Sequence, residues 1–214
     1  MTVYLIGTLH TDYLYGPEKL EKMYQDLAPD VLLTELNEAD LGIKDKMVDA
    51  LKKVENVSEF REEFLDFIEF AKCCGWEPQF NKDYGNRNRL PVHLIDLPGT
   101  GMYMEIIRRV ENGDLQLRDE HKGFFNYILQ MKERSLDPAG SAIYWYGLLE
   151  EQGSLWYDEP GNRDDYMAIR IREIYEEDLA IAYPVGMAHC VRDLAERTLV
   201  SKLDGLKFEV IPLI

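Results

Sequence analysis

The chain has 214 residues, 46% of them apolar, and its 40 acidic against 24 basic side chains give a formal charge of -16. That length and apolar content suit a single α/β domain over residues 1–214 with a substantial buried core. The negative charge is repelled by phosphate backbones and anionic headgroups, so nucleic acid and membrane surfaces are poor partners. No apolar stretch approaches the roughly 20 residues that span a bilayer, and Met1 leads at once into strand-like sequence, so the expected location is cytoplasmic. Cys73 and Cys74 are adjacent in a helical pattern and Cys190 stands far away, a spacing that predicts reduced, mostly buried thiols.

The first predicted strand, residues 3–6, runs on through "GTLH" to His10. Leu20, Met23, Tyr24 and Leu27 then recur at helical spacing before a second strand, residues 31–36, that closes on Glu35 in "LLTEL". Phe60, Phe64, Phe67, Ile68 and Ala71 repeat the helical period. "NKDYGNRNR", with Lys82, Arg87 and Arg89, is a basic island that reads as a solvated loop. The third strand, residues 92–97, carries Asp96 near its end, and His93 alternates within it toward a helix layer.

Residues 98–178 form the longest gap between strands. His121 reads there as part of a solvated helix, and the aromatic group Tyr144, Trp145, Tyr146, Trp156 and Tyr157 as the packing of a helix, loop and helix. Met167, Ile171, Ile174 and Tyr175 mark a further helix. The fourth strand, residues 179–185, leads through "VGMAH" to His189, and residues 208–213 form a fifth. Near-continuous apolar strands alternating with helices predict an α/β fold: a central, mainly parallel sheet with helices on both faces and helical insertions in the two long gaps.

His10 and His189 each lie three residues beyond a glycine at a strand exit, and Glu35 and Asp96 occupy similar exits. In an open parallel sheet, ligands bind beyond the carboxyl ends of the strands, so these four side chains are candidates for one cleft. Two histidines and a glutamate suit zinc, manganese or cobalt, with positions left for water and substrate. Taken singly, a strand-end histidine is more often a hydrogen-bonded core residue than a ligand, and strand-end acids are common helix caps.

"GTLH", the glutamate of "LLTEL", the arginine and methionine of "RDDYMA", and "VGMAH" occur in the order of the TraB/Tiki superfamily, which the chain resembles. Its wider relatives include GumN-like, ChaN-like and erythromycin esterase-like proteins. The resemblance implies an α/β fold and, in the Tiki branch, a metal-dependent peptidase. By motif it assigns His10, Glu35 and His189 to the metal-centred site and Arg163 to the arginine of the R-N-x-x-M-A pattern, with Asp164 standing where asparagine is usual. Asp96 fits a recurrent acid after a middle strand.

In that reading Arg163 anchors a substrate carboxylate or stabilises an oxyanion, and Asp96 or a further carboxylate serves as base. Asp164 and Asp165 are expected to be structural, because negative charge suits a helix's first turn. The expected function is a metal-dependent hydrolase, peptidase- or amidase-like, acting on a peptide or small molecule. The alternatives are an esterase-like hydrolase with histidine as general base and no metal, or a non-catalytic protein that binds a peptide, metal or heme.

Overall fold

The computed structural model describes residues 2–10, 12–36, 42–54, 61–73, 75–97, 101–113, 161–176, 178–190 and 198–213. Phe60, Cys74, His121 and the aromatic group from Tyr144 to Tyr157 lie outside the described residues.

Five strands, β1 (Thr2–Thr8), β2 (Val31–Thr34), β3 (Val92–Leu94), β4 (Ala180–Gly186) and β5 (Phe208–Pro212), form one sheet in the order β3-β2-β4-β1-β5. Every pairing is parallel, so all five strands present their carboxyl ends at the same edge. β4 enters between β1 and β2, with Ile181 in register with both Val3 and Val31. The chain after β4 therefore emerges between the exits of β1 and β2.

The helices among the described residues are α1 (Gly16–Leu27), α2 (Ile43–Leu51), α3 (Arg61–Cys73), α4 (Glu77–Asn88), α5 (Gly101–Glu111), α6 (Gly161–Ile174) and α7 (Leu199–Lys202). Side chains alternate along a strand, so each face of the sheet has its own core. Leu5, Leu33 and Tyr183 pack on one face with Met167 and Ile171 of α6 and Leu199 of α7. On the other face, Ile6, Leu32 and Ala182 meet Leu20 and Tyr24 of α1 and Tyr84 of α4. Residues of α2, α3 and α5, among them Met47, Phe64 and Ile107, bury a separate cluster, which fits the expected helical insertions.

The basic island departs from the sequence expectation. Residues 81–88 of it belong to α4 rather than to a loop, and Arg89 follows as the helix's C-cap. Its buried stripe is Glu77, Asn81, Tyr84 and Gly85, which has almost no apolar signature to read. Asn81 is buried because its side chain is satisfied on both sides: it accepts from the Tyr24 hydroxyl at 2.6 Å and donates to the Leu33 carbonyl at 2.8 Å. Lys82, Arg87 and Arg89 do face solvent.

The segment after β1 is fastened to the start of α4. Trp76 Nε1 donates to the Leu9 carbonyl at 3.3 Å, and the Gly75 N–H donates to the His10 carbonyl at 2.9 Å. The Trp76 ring also presses on the first residue of α1, where a Cβ on Gly16 would sit 2.3 Å from Cζ2. Gly16→Ala should therefore cost about 1–3 kcal/mol by overpacking, since the ring is held by its hydrogen bond and by edge contact with Phe80. Urea unfolding measures this, and an unchanged midpoint would contradict the close approach of Trp76.

Candidate functional site

Glu35 follows β2 directly, and its side chain is buried, with 6% exposure. Backbone bonds fix its surroundings: Ile95 N–H to the Thr34 carbonyl and Asp96 N–H to the Leu36 carbonyl, both at 3.2 Å, tie the exits of β2 and β3 together. The Glu35 carboxylate collects groups from three other segments. Its Oε2 accepts from the Gly186 N–H at the end of β4 at 2.9 Å and lies 3.8 Å from His10 Nε2. Its Oε1 accepts from Arg163 Nη2 at 2.5 Å and lies 3.4 Å from His189 Nε2. His10, Glu35 and His189 are thus brought together at one sheet edge.

Arg163 and Asp96 stand beside them. Arg163 Nε and Nη2 donate to the two Asp96 oxygens at 2.7 and 2.6 Å, the fork-on-fork geometry that suits a guanidinium and a carboxylate. The expected base, Asp96, therefore has both oxygens facing a cation. Arg163 Nη1 takes no part in these bonds, and the side chain is 39% exposed.

The far side of each imidazole meets an acid that the strand-end pattern does not identify. His189 Nδ1 lies 2.7 Å from Asp164 Oδ1, and His10 Nδ1 lies 3.0 Å from Glu77 Oε1. Both acids expected to be structural lie in the first turn of α6, but they differ: Asp165 pairs with Lys202 at 2.6 Å, whereas Asp164 is fully buried against His189. Adjacent positions in the first turn of α6 thus deliver Arg163 to Glu35 and Asp164 to His189. Glu77, in the first turn of α4 ahead of Pro78, reads in sequence as an ordinary helix start.

Gly186 makes room for the histidines. A Cβ there would lie 2.8 Å from His10 Nε2 and 3.5 Å from His189 Cδ2. His93, by contrast, is half-buried within β3. Cys190 is buried, and burial, with Glu35 and Asp164 adding, pushes its thiol up, so it stays neutral, whereas Cys73 is a half-buried free thiol.

The charges follow from this packing. Glu77 is the main cause that raises His10 to about 9, with Glu35 adding, although the ring is 42% exposed and water screens part of the attraction. Burial opposes the charge on His189, yet Glu35 and Asp164 overcome it and hold the ring at about 9. Burial likewise opposes the charge on Glu35, but His10, His189 and Arg163 keep its carboxyl well below the usual range.

Four carboxylates thus surround one guanidinium and two imidazoles. If both rings were neutral and gave their Nδ1 hydrogens to the acids behind them, two Nε2 lone pairs would face Glu35. That repulsion is relieved by two protons or by a divalent cation, either of which adds the same charge. His10, Glu35 and His189 have the donor chemistry for such an ion. Among the described residues, no three His, Cys, Asp or Glu side chains already stand in ligand geometry. No family model, curated protein or solved structure matches the chain. No helix among the described residues is long and apolar enough to cross a membrane.

These shifts fix a pH dependence. A histidine raised to about 9 stabilises the fold fully below its unfolded value near 6.5, and that stability is lost as pH rises through 9. Lowered Glu35 stabilises above about 4.5, and this is lost as pH falls through its depressed folded value. Thermal unfolding of chelated protein should peak between about pH 4.5 and 6.5 and decline toward pH 9 to 10. His189→Gln should flatten the alkaline decline, and a wild-type curve already flat there would rule out the charged pair.

Proposed function

We propose that the chain is a metal-dependent hydrolase of the TraB/Tiki type that acts on a peptide or other amide bond. His10, Glu35 and His189 would hold a manganese, cobalt or zinc ion. The supporting observation is the opposed pair of imidazoles, each with Nδ1 on its own acid and Nε2 toward the shared carboxylate of Glu35. When bound, such an ion polarises a carbonyl oxygen and lowers the pKa of water.

The chain's own residues orient the site and bind substrate. Gly186 N–H and Arg163 fix the orientation of the Glu35 carboxylate by donating to one oxygen each. Asp96 aligns the guanidinium through both its oxygens and leaves Nη1 to donate to a substrate oxygen that gains negative charge. Arg163→Ala should then lower turnover by roughly 30-fold to 1,000-fold, for the loss of about 2–4 kcal/mol. Arg163→Lys should recover little, because an ammonium lacks the fork. Melting curves of both variants separate lost turnover from lost fold.

The decisive experiment is elemental analysis of the purified protein joined to an activity screen on amide substrates before and after metal removal. Added zinc, manganese or cobalt should raise the unfolding midpoint of the wild type, and replacing His10 and His189 together by alanine should remove that rise. Since each ring holds a proton up to about 9, ion entry displaces both. Affinity should therefore climb by up to about 100-fold per pH unit between pH 7 and 9 and flatten above. A pH-independent affinity would place the ion elsewhere.

One observation favours a second reading, a metal-independent hydrolase: both Glu35 oxygens are already engaged by donors. The half-exposed ring of His10 would then move the proton itself, and cleavage would survive chelation. Stoichiometric metal retention without turnover would instead indicate a binding protein.

A further inference from the structure

Glu77 and Asp164 approach the histidines from opposite faces of the sheet, through the first turns of α4 and α6. They are 1% and 0% exposed, and each places one oxygen on an Nδ1. Their other oxygens, Glu77 Oε2 and Asp164 Oδ2, are buried with no hydrogen-bond partner among the described residues. Burying a carboxylate with one oxygen unpaired is costly, and an exposed acid would serve a helix start equally well. A carboxylate only accepts, so the nitrogen nearer to one carries the hydrogen: Nδ1 lies 3.0 Å from Glu77 in His10 and 2.7 Å from Asp164 in His189, whereas the Nε2 atoms lie 3.8 and 3.4 Å from Glu35, and in a neutral ring the lone pair is then on Nε2.

We infer that Glu77 and Asp164 are positioning residues that fix His10 and His189 in the Nδ1–H tautomer and turn both Nε2 atoms toward Glu35. Their value to an ion rests on the hydrolase reading, whereas the tautomers rest on the hydrogen bonds alone. The two arms differ in access: the His189 ring is 3% exposed and the His10 ring 42%.

The test is nitrogen-15 spectroscopy of the histidine rings in the full metal-free chain near pH 10, above the value of about 9 at which both rings lose their charge. Both should show a pyrrole-like Nδ1 and a pyridine-like Nε2. Glu77→Gln should shift the tautomer balance of His10 only, and Asp164→Asn that of His189 only, because an amide can donate as well as accept. Zinc affinity should fall about 10-fold to 100-fold in each variant. A wild-type ring in the Nε2–H form, or rings unmoved by both substitutions, would overturn the inference, and the wild-type spectrum suffices if a variant does not fold. The expected tautomers in a wild type that binds no zinc would uphold the inference and overturn the metal reading alone.

Discussion

Everything at the sheet edge is arranged around the buried carboxylate of Glu35. A carboxylate out of water is tolerated only when its lone pairs and charge are met, and here four residues from three other segments meet them. Gly186 N–H comes from the end of β4, Arg163 from α6, His189 from the turn after β4, and His10 from the exit of β1. The contacts couple three neighbouring strands and one flanking helix through one side chain. Without that charge, three cationic or protonatable groups would be left packed together.

The second tier of the site explains how two flexible side chains are held. Asp164 reaches His189 from one face of the sheet, and Glu77 reaches His10 from the other. Glu77 is itself positioned by its neighbour Trp76, which fastens the segment carrying His10 to the start of α4. Gly186 completes the arrangement by leaving a gap where any larger residue would touch both rings. The site's geometry is therefore inseparable from the packing of both helical layers.

Protonated rings and a bound divalent cation satisfy the same electrostatic demand, which is why one arrangement of side chains supports both hydrolytic readings. With four acids against one guanidinium, the cluster needs further positive charge in either case. The difference lies in whether that charge is carried on the rings or between them, and the ambient pH shifts the balance.

The strands were legible because buried parallel strands are apolar runs, and the positions of His10, Glu35, Asp96 and His189 followed from counting to their ends. Helices α1 and α6 were legible from the spacing of Leu20 with Tyr24 and of Met167 with Ile171. The helical state of residues 81–88 was not, because α4 buries Glu77, Asn81, Tyr84 and Gly85 rather than an apolar stripe. Nor was the pairing of Glu77 with His10 or of Asp164 with His189, since an acid in a first helical turn looks the same whether it faces water or an imidazole. The sequence alone determined which side chains stand at strand exits, a property of local periodicity. Only the tertiary structure decided that β4 lies between β1 and β2, bringing those exits together, and which acids close behind the histidines, because both depend on contacts between segments far apart in the chain.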